Sequence, residues 1–188
     1  MQTVIRGASQ LKVTRSRMAP GSSAGTGGRR PSRRPVKAVQ PPYHLFRRGI
    51  EAGLLPYAAA HHIGVLAYGP LARGLLGGTI TEATSFGPGD WRSHSPAFTG
   101  PGFGRNLEIV AALSRFAADL GATIAQLAVA WVLAHPAVQV AIVGAHPTSS
   151  AGKRRSPRSG AEPGRLAEID SIMAAAVPLG GPSAEGMT

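Results

Sequence analysis

Tyr68 has the clearest position for ligand chemistry in this sequence. It follows a short apolar run, residues 64–67, and precedes a turn rich in glycine and proline, residues 69–78. A short apolar run bounded by turn signals predicts a buried strand, although a piece of buried helix gives the same pattern. A helix-forming run at residues 56–62 comes before it. Helix, buried strand and glycine-rich loop in this order predict a parallel α/β sheet, in which ligands bind at the carboxyl ends of the strands.

Other kinds of chemistry have weaker support in the residues. His61 and His62 are adjacent, so on a helix their side chains point about 100° apart, and no carboxylate or cysteine is suitably spaced to complete a metal site. We interpret this pair as a helix end that tolerates partial positive charge. No nucleophile elbow between a predicted strand and a predicted helix supports Ser-His-Asp catalysis, and no G-x-G-x-x-G motif follows a strand. The sequence therefore predicts no metal site and no Rossmann domain.

Three predicted strands and four predicted helices must position these residues. The strands are residues 36–39, 64–67 and 138–143, and the helices are residues 56–62, 107–120, 124–135 and 166–173. Asn106 is a favourable N-cap for the second helix, and Thr123 with Gln126 forms a capping-box pattern before the third. Residues 79–105 are rich in glycine, proline and serine and are predicted to be a loop. A loop of this length in a compact domain is usually functional or disordered.

Length and composition limit the class of protein. The chain has 188 residues, enough for one domain with a core. It has no cysteine, so it contains neither a disulfide framework nor a thiolate metal site, and this is compatible with the cytoplasmic location that we expect. No apolar run approaches the roughly 18 residues that a membrane span needs, so we expect no membrane partner.

The net charge of +11 raises the question of nucleic-acid binding, and its distribution along the chain argues against a basic binding domain. Residues 1–37 carry a charge of +9, residues 38–145 carry +1, residues 146–165 carry +4 and residues 166–188 carry −3. The part with apolar periodicity is therefore nearly neutral. Nucleic-acid binding is a less favoured expectation for this chain.

Residues 1–35 are predicted to be a disordered basic leader. They are rich in Arg, Ser, Gly and Pro and contain no acidic residue, so they cannot bury enough apolar surface to offset the entropy of ordering. Three interpretations compete: an organellar transit peptide, a localisation or nucleic-acid patch around residues 29–34, and a non-native leader. We favour the last of these.

Several sequence blocks together resemble the aldo-keto reductases. They are Gln-Pro-Pro-Tyr-His-Leu-Phe-Arg-Arg-Gly-Ile-Glu at 40–51, Leu-Pro-Tyr at 55–57, Ala-Tyr-Gly-Pro-Leu-Ala-Arg-Gly-Leu-Leu-Gly-Gly at 67–78, Asp-Trp-Arg at 90–92, Ala-Gln-Leu-Ala at 125–128 and Trp-Val-Leu at 131–133. These blocks match the carboxyl half of the family only. The resemblance implies an α/β fold in which residues 36–188 form a partial (β/α)8 TIM barrel of about three C-terminal β/α units, since a complete barrel typically needs about 250 residues.

The resemblance also implies a nicotinamide cofactor, NADP (NADPH), and the residues that bind it. The matching glutamine, Gln40, would hydrogen-bond the nicotinamide carboxamide, and Tyr68 would stack against the nicotinamide ring. The turn would pass over the pyrophosphate, where glycine permits close approach of the backbone and arginine pairs with phosphate oxygens. Its matching residues are Gly69, Pro70, Leu71, Arg73 and Gly74. Gly144 would lie near the adenosine 2′-phosphate end, although the basic and Glu/Asn positions expected after it are not recognisable.

The family reaction is reversible hydride transfer between NADPH and a small carbonyl substrate, an aldehyde or ketone. Its catalysis needs a tyrosine, a lysine, a histidine and an aspartate from the amino-terminal half, and no residue here matches those motifs. The lysines are Lys12, Lys37 and Lys153, and the tyrosines Tyr43, Tyr57 and Tyr68 match non-catalytic positions. We therefore assign no catalytic residue and expect a truncated fragment that is inactive alone. The alternative is a non-catalytic interaction protein whose basic tails bind nucleic acid or acidic partners.

Two further expectations concern irregular segments and strand edges. Residues 146–163 have no helical face where the family has a cofactor-contacting helix opening with a Thr-Pro-Asp-Gln-Leu-like motif. One permitted back-translation of residues 145–152 spells Thr-Pro-Asp-Gln-Leu-Arg-Gly when read two bases later, so we hypothesise that this segment, and similarly residues 1–33, is translated out of frame. The coding DNA tests this hypothesis. An open parallel sheet with unpaired edges also predicts self-association or poor solubility.

Overall fold

The fold is built on a small, mostly parallel β-sheet. A computed structural model of the chain describes residues 2–6, 36–144 and 163–179. The described strands are β1 (Gln2–Arg6), β2 (Ala38–Val39), β3 (Gly64–Tyr68) and β4 (Val140–Gly144), in the order β1-β4-β3-β2. Strands β2, β3 and β4 are parallel to one another, whereas β1 pairs with β4 in the antiparallel direction. The three predicted strands are thus present, within two residues of their predicted limits.

Helices and short 3-10 turns connect the strands. The helices are α1 (Leu54–Ala60), α2 (Pro96–Thr99), α3 (Pro101–Asp119), α4 (Ile124–Ala134) and α5 (Pro163–Met173). The 3-10 turns are Gly49–Ala52, Trp91–His94 and Ala72–Gly77, the last of which is kinked at Arg73 and Gly74, where the backbone is not helical. The capping box predicted for α4 is confirmed, because Thr123 and Gln126 each accept a hydrogen bond from the other's backbone N–H. Parallel strands separated by helices define an α/β fold.

One hydrophobic core joins the helices to the sheet. Val65 and Ala67 on β3 are fully buried, as are Leu113 on α3 and Val132 on α4. Helix α5 adds Ile169 to the same cluster. Because β3 lies between β2 and β4 and is covered by helices, its carboxyl end is held in place from several directions. The position of Tyr68 is therefore set by the centre of the sheet.

The start of α3 differs from its prediction. The helix begins at Pro101, five residues before Asn106, so the prediction that Asn106 is its N-cap is wrong. Asn106 is instead fully buried inside the helix, where its Nδ2 donates to the Val177 carbonyl at 3.0 Å and its Oδ1 accepts from the Val177 N–H at 2.9 Å. The start of the helix has a local cause, since Gly100 is its N-cap and Pro101 lies in its first turn, whereas the burial of Asn106 depends on the distant residue Val177. The loop predicted at residues 79–105 is correspondingly shorter and contains a 3-10 turn and α2.

The predicted leader needs a partial correction. Residues 2–6, predicted to be disordered, form β1 and occupy the edge of β4, since an unpaired strand edge is a template for another strand. The rest of the leader and residues 146–162, with the basic charge that they carry, lie outside the described residues. The far edge of β2 has no strand partner within the described residues. Self-association through that edge stays a prediction.

The described residues contain neither a single membrane-spanning helix nor a metal-binding cluster. No single helix there is long and apolar enough to cross a membrane; α3 and α4 together meet the length and composition of a span, but they are bent by 87° relative to each other. No group of three or more His, Cys, Asp or Glu side chains in the described segments could hold a metal ion. His61 and His62 follow α1 at the surface, and Nδ1 of His61 lies 2.9 Å from the Tyr57 carbonyl oxygen.

Candidate functional site

Tyr68 is fixed by backbone pairing on both sides. Its N–H donates to the Pro41 carbonyl at 3.0 Å, and its own carbonyl accepts from the Tyr43 N–H at 3.2 Å. On the other side it pairs in register with Ile142 of β4. The side chain is half-buried. An aromatic ring is thus held at the carboxyl end of the central strand, as the sequence predicts.

The turn after Tyr68 is anchored by buried residues and exposes an arginine. Gly69, Ala72, Arg73 and Gly74 all have positive φ, at 68°, 49°, 60° and 101°. This left-handed conformation is uncommon for residues with a Cβ atom. Pro70 and Ala72 are buried, whereas Arg73 is exposed. The strained backbone therefore turns the Arg73 side chain outward while the rest of the turn packs on the core.

Arg73 lines an open cleft of about 520 Å³ together with the segment that precedes α2. The other lining residues are Gly89, Asp90, Trp91 and Arg92. The Arg73 guanidinium lies 5.3 Å from the centre of the Trp91 ring. Arg92 crosses to the turn and donates from Nη1 to the Arg73 carbonyl at 3.1 Å. The predicted turn and the distant Asp90–Arg92 segment thus form one site.

The charges of this cleft favour an anion. Asp90 Oδ2 accepts from Nη2 of Arg92 at 2.6 Å, and Asp90 Oδ1 accepts from the backbone N–H of Arg92 at 3.0 Å. The side-chain hydrogen bonds from Arg92 are the main cause that lowers the pKa of Asp90, and they raise the pKa of Arg92. Both side chains therefore stay charged at neutral pH. Among the residues that the structure describes, the cleft is lined by two guanidinium groups, of Arg73 and Arg92, and by the carboxylate of Asp90, a balance that suits a phosphate group.

His44 places a neutral imidazole near this cationic turn. It is buried, and its Nδ1 atom has no hydrogen-bond partner among the described residues. Burial is the largest cause that lowers the pKa of His44 to about 4, and the positive charges of Arg47 and Arg73 act in the same direction. The imidazole is therefore uncharged at neutral pH, and it does not add to the cationic charge of the site.

The other predicted site residues lie at the same end of the sheet. Gln40 directly follows β2, and because Pro42 forms a bridge with Tyr68, Gln40 lies two residues before the level of Tyr68. Gly144 ends β4, two residues beyond the Ile142 that pairs with Tyr68. Both Gln40 and Gly144 are exposed. Leu71, the remaining member of the predicted set, is half-buried and packs against the core.

The two other tyrosines do not reach this site as proton donors. Tyr43 is buried and donates its hydroxyl hydrogen to Oε1 of Glu51 at 2.7 Å, and burial, followed by this bond, raises its pKa far above the ordinary value. Tyr57 is exposed on α1, where it stacks on His61 with ring centres 4.0 Å apart. The Tyr43 hydroxyl is thus engaged by Glu51, and the assignment of no catalytic residue to this chain stays a prediction.

Sequence reasoning missed the contribution of Asp90, Trp91 and Arg92 to the site. These residues entered only as part of the family resemblance, inside a segment predicted to be a loop. The usable signal was an aspartate two residues before an arginine, because such an aspartate accepts from the backbone of a short turn and pairs with the arginine. What the sequence could not show is which other part of the chain this pair contacts.

The chain belongs to the Aldo/keto reductase family, whose sequence profile matches residues 22–152. It is 42% identical over 112 residues to the aldo-keto reductase YhdN of Bacillus subtilis, covering 59% of this chain and 34% of the relative. It is 35% identical over 103 residues to aldo-keto reductase yakc [NADP(+)] of Schizosaccharomyces pombe, covering 53% and 30%. The chain thus spans about a third of the length of these curated relatives.

A solved structure supports the same relationship. The structure of a glycerol dehydrogenase from Gluconobacter oxydans superposes with a TM-score of 0.70 at 36% sequence identity. The superposition covers 77% of this chain and 44% of the dehydrogenase. The α/β arrangement of the described residues is therefore the arrangement of part of a family member.

Proposed function

We propose that this chain carries a nicotinamide cofactor site of an NADP-dependent aldo-keto reductase and that its strands are part of a (β/α)8 barrel. The single observation that carries the proposal is the position of Tyr68 at the carboxyl end of β3, directly before a turn that exposes Arg73. The flat ring and the cation are separated by four residues, 69–72, of which Gly69 and Ala72 have positive φ. A dinucleotide has a flat ring and phosphates that require such a pair of contacts.

Each residue of the site has a separate role in this proposal. Tyr68 stacks against the nicotinamide ring, and Gln40 hydrogen-bonds its carboxamide. The turn from Gly69 to Gly74 lies along the pyrophosphate, which Arg73 binds, and Gly144 lies toward the adenosine 2′-phosphate. The name of the Schizosaccharomyces pombe relative, which includes NADP(+), supports the choice of the phosphorylated cofactor.

A dinucleotide held by these residues would supply the hydride for reversible reduction of an aldehyde or ketone. The residues of this chain orient the nicotinamide ring, bind the phosphates and exclude water from one face of the ring. Reduction also needs a proton at the carbonyl oxygen, and we assign no acid for this step among the tyrosines and lysines of the chain. The proposal is therefore that the chain binds cofactor and does not reduce carbonyl substrates by itself.

Titration of the purified full chain into NADPH tests the cofactor site through the fluorescence of the reduced nicotinamide. We expect a saturable change. The substitution Tyr68→Ala should weaken affinity about fivefold, since aromatic stacking contributes about 1 kcal/mol, and Tyr68→Phe should retain most of it. The matched control is Tyr57→Ala, which removes an exposed tyrosine from α1. Equal affinities of Tyr68→Ala and wild type would contradict the assigned role.

A second measurement separates binding from turnover and from the alternative function. Consumption of NADPH in the presence of simple aldehydes and ketones should stay at background. Sustained turnover would show that an acid is present and would overturn that part of the proposal. Salt-dependent binding to DNA together with no response to NADPH would instead favour an interaction protein with basic tails.

A further inference from the structure

Asp90, Trp91 and Arg92, which we call the DWR segment, contact Arg73 in two ways. The Trp91 ring lies under the Arg73 guanidinium at 5.3 Å, and Arg92 Nη1 donates to the Arg73 carbonyl at 3.1 Å. One contact acts on the side chain and the other on the backbone. Together they limit both the position and the direction of the Arg73 cation.

The negative charge of Asp90 is unexpected at a site that binds anions. A carboxylate beside an anion-binding cleft lowers the affinity for anions by repulsion. Its contacts are with residues that follow it closely in the chain: its side chain accepts from the side chain and backbone of Arg92, and its carbonyl accepts from Ser93 Oγ at 2.7 Å. Asp90 therefore fixes the 3-10 turn that holds Trp91 and directs Arg92 toward Arg73.

The backbone of Arg73 needs such support. Its φ of 60° and ψ of 27° lie in the left-handed region, and Ala72 before it also has positive φ. A non-glycine residue in this region persists only when surrounding contacts hold it there. The hydrogen bond from Arg92 to the Arg73 carbonyl is such a contact, and it spans 19 positions of sequence.

We propose that the DWR segment positions Arg73 for binding a phosphate group. Trp91 and Asp90 are positioning residues, which affect the ligand only through their effect on Arg73. The inference rests on the proposed cofactor site and deepens it. The inference fixes the direction in which anion affinity should change when Asp90 is neutralised. Removing the negative charge of Asp90 weakens the binding of an anion, because the loss of orientation exceeds the gain in attraction.

The test compares affinities for NADPH and for inorganic pyrophosphate, both measured on the full chain by calorimetry. Asp90→Asn should weaken both about fivefold, and Trp91→Ala should have a similar effect, since a cation–π contact at an exposed site is worth about 1 kcal/mol. Trp91→Phe should restore much of the affinity. Tyr57→Ala, an exposed aromatic on α1, is the matched control, and circular dichroism verifies that each variant is folded.

A double-mutant cycle shows whether Asp90 acts through Arg73. In the Arg73→Gly background, Asp90→Asn should cause no further loss, because the residue that it positions is absent. A role limited to local folding would add its effect in both backgrounds. Glycine is the suitable replacement because it accepts the left-handed conformation at this position.

The outcomes separate this inference from the proposed function. If NADPH binds but Asp90→Asn binds more tightly than wild type, or its effect is additive with Arg73→Gly, the positioning role is wrong while the cofactor site stands. If pyrophosphate binds with the expected pattern but Tyr68→Ala leaves NADPH affinity unchanged, the cofactor assignment falls and the positioning role stands. If wild type binds neither NADPH nor pyrophosphate, both are wrong.

Discussion

Asn106 makes the contact whose removal we expect to be most informative about stability. Its side chain is fully buried in α3 and binds both the N–H and the carbonyl of Val177, 71 residues later. Replacement by alanine removes both hydrogen bonds and leaves two polar backbone groups without their partner. Close packing adds to the effect, because Val177 also lies over Gly102, where a Cβ atom would be 3.1 Å from Val177 Cγ1.

The expected loss follows from these contacts. Each hydrogen bond contributes about 0.5–1.5 kcal/mol net, so Asn106→Ala should lower the free energy of unfolding by about 1–3 kcal/mol. The cavity left by the side chain shifts the expected value toward the upper part of that range. For a chain of this size, 2 kcal/mol corresponds to a decrease in melting temperature of about 4–8 °C.

Urea unfolding followed by circular dichroism measures the loss, and amide hydrogen exchange locates it. The Val177 amide should lose protection in Asn106→Ala. The control Ser114→Ala removes one bond within the same helix, from Oγ to the Val110 carbonyl at 2.7 Å, and should change stability by less than about 0.5 kcal/mol. A free energy within about 0.5 kcal/mol of wild type and a still protected Val177 amide would refute the reasoning.

Two further predictions concern the turn at the candidate site. Acidification from pH 6.5 to 4 should destabilise the fold by roughly 3 kcal/mol, because His44 binds a proton in the unfolded chain at pH values where the folded imidazole, with a pKa of about 4, stays neutral. His44→Leu should reduce this slope and the exposed control His94→Leu should not; equal slopes would contradict it. Gly74→Ala should lower the free energy of unfolding by at least about 1 kcal/mol, because φ is 101° and the new Cβ would lie 3.4 Å from Arg92 Nη1. The control is Gly49→Ala, whose Cβ would meet open space. Equal melting temperatures of the two variants would show that the turn is not constrained.

Local sequence signals predicted much of the fold. The apolar run up to Tyr68 forms β3, and Thr123 and Gln126 form a capping box, as predicted. Both could be predicted because they depend on residues close together in the chain. Asn106 shows the limit. Its type suits an N-cap, but the helix already begins at Pro101, and Asn106 instead bonds Val177 far along the chain. The pairing of β1 with β4 is non-local in the same way.

The candidate site was predicted in part for the same reason. Tyr68 and the turn up to Gly74 are contiguous, so a single motif identifies them. The approach of Trp91 and Arg92 to Arg73 depends on how residues 79–95 fold back over the turn, and no periodicity reports that path. His44 is a similar case, since an isolated histidine in sequence gives no indication that burial keeps it neutral.

The two tryptophans of the chain provide separate optical reporters. Trp131 is 6% exposed in the core, with Tyr43 at 5.0 Å and the Arg48 guanidinium at 5.1 Å from its ring, whereas Trp91 is 39% exposed beside the cleft. The indole of Trp131 should therefore emit at shorter wavelength and respond to denaturation, and that of Trp91 should respond to occupation of the cleft. The Trp91→Phe protein leaves a single emitter, so the two signals can be resolved without any added label.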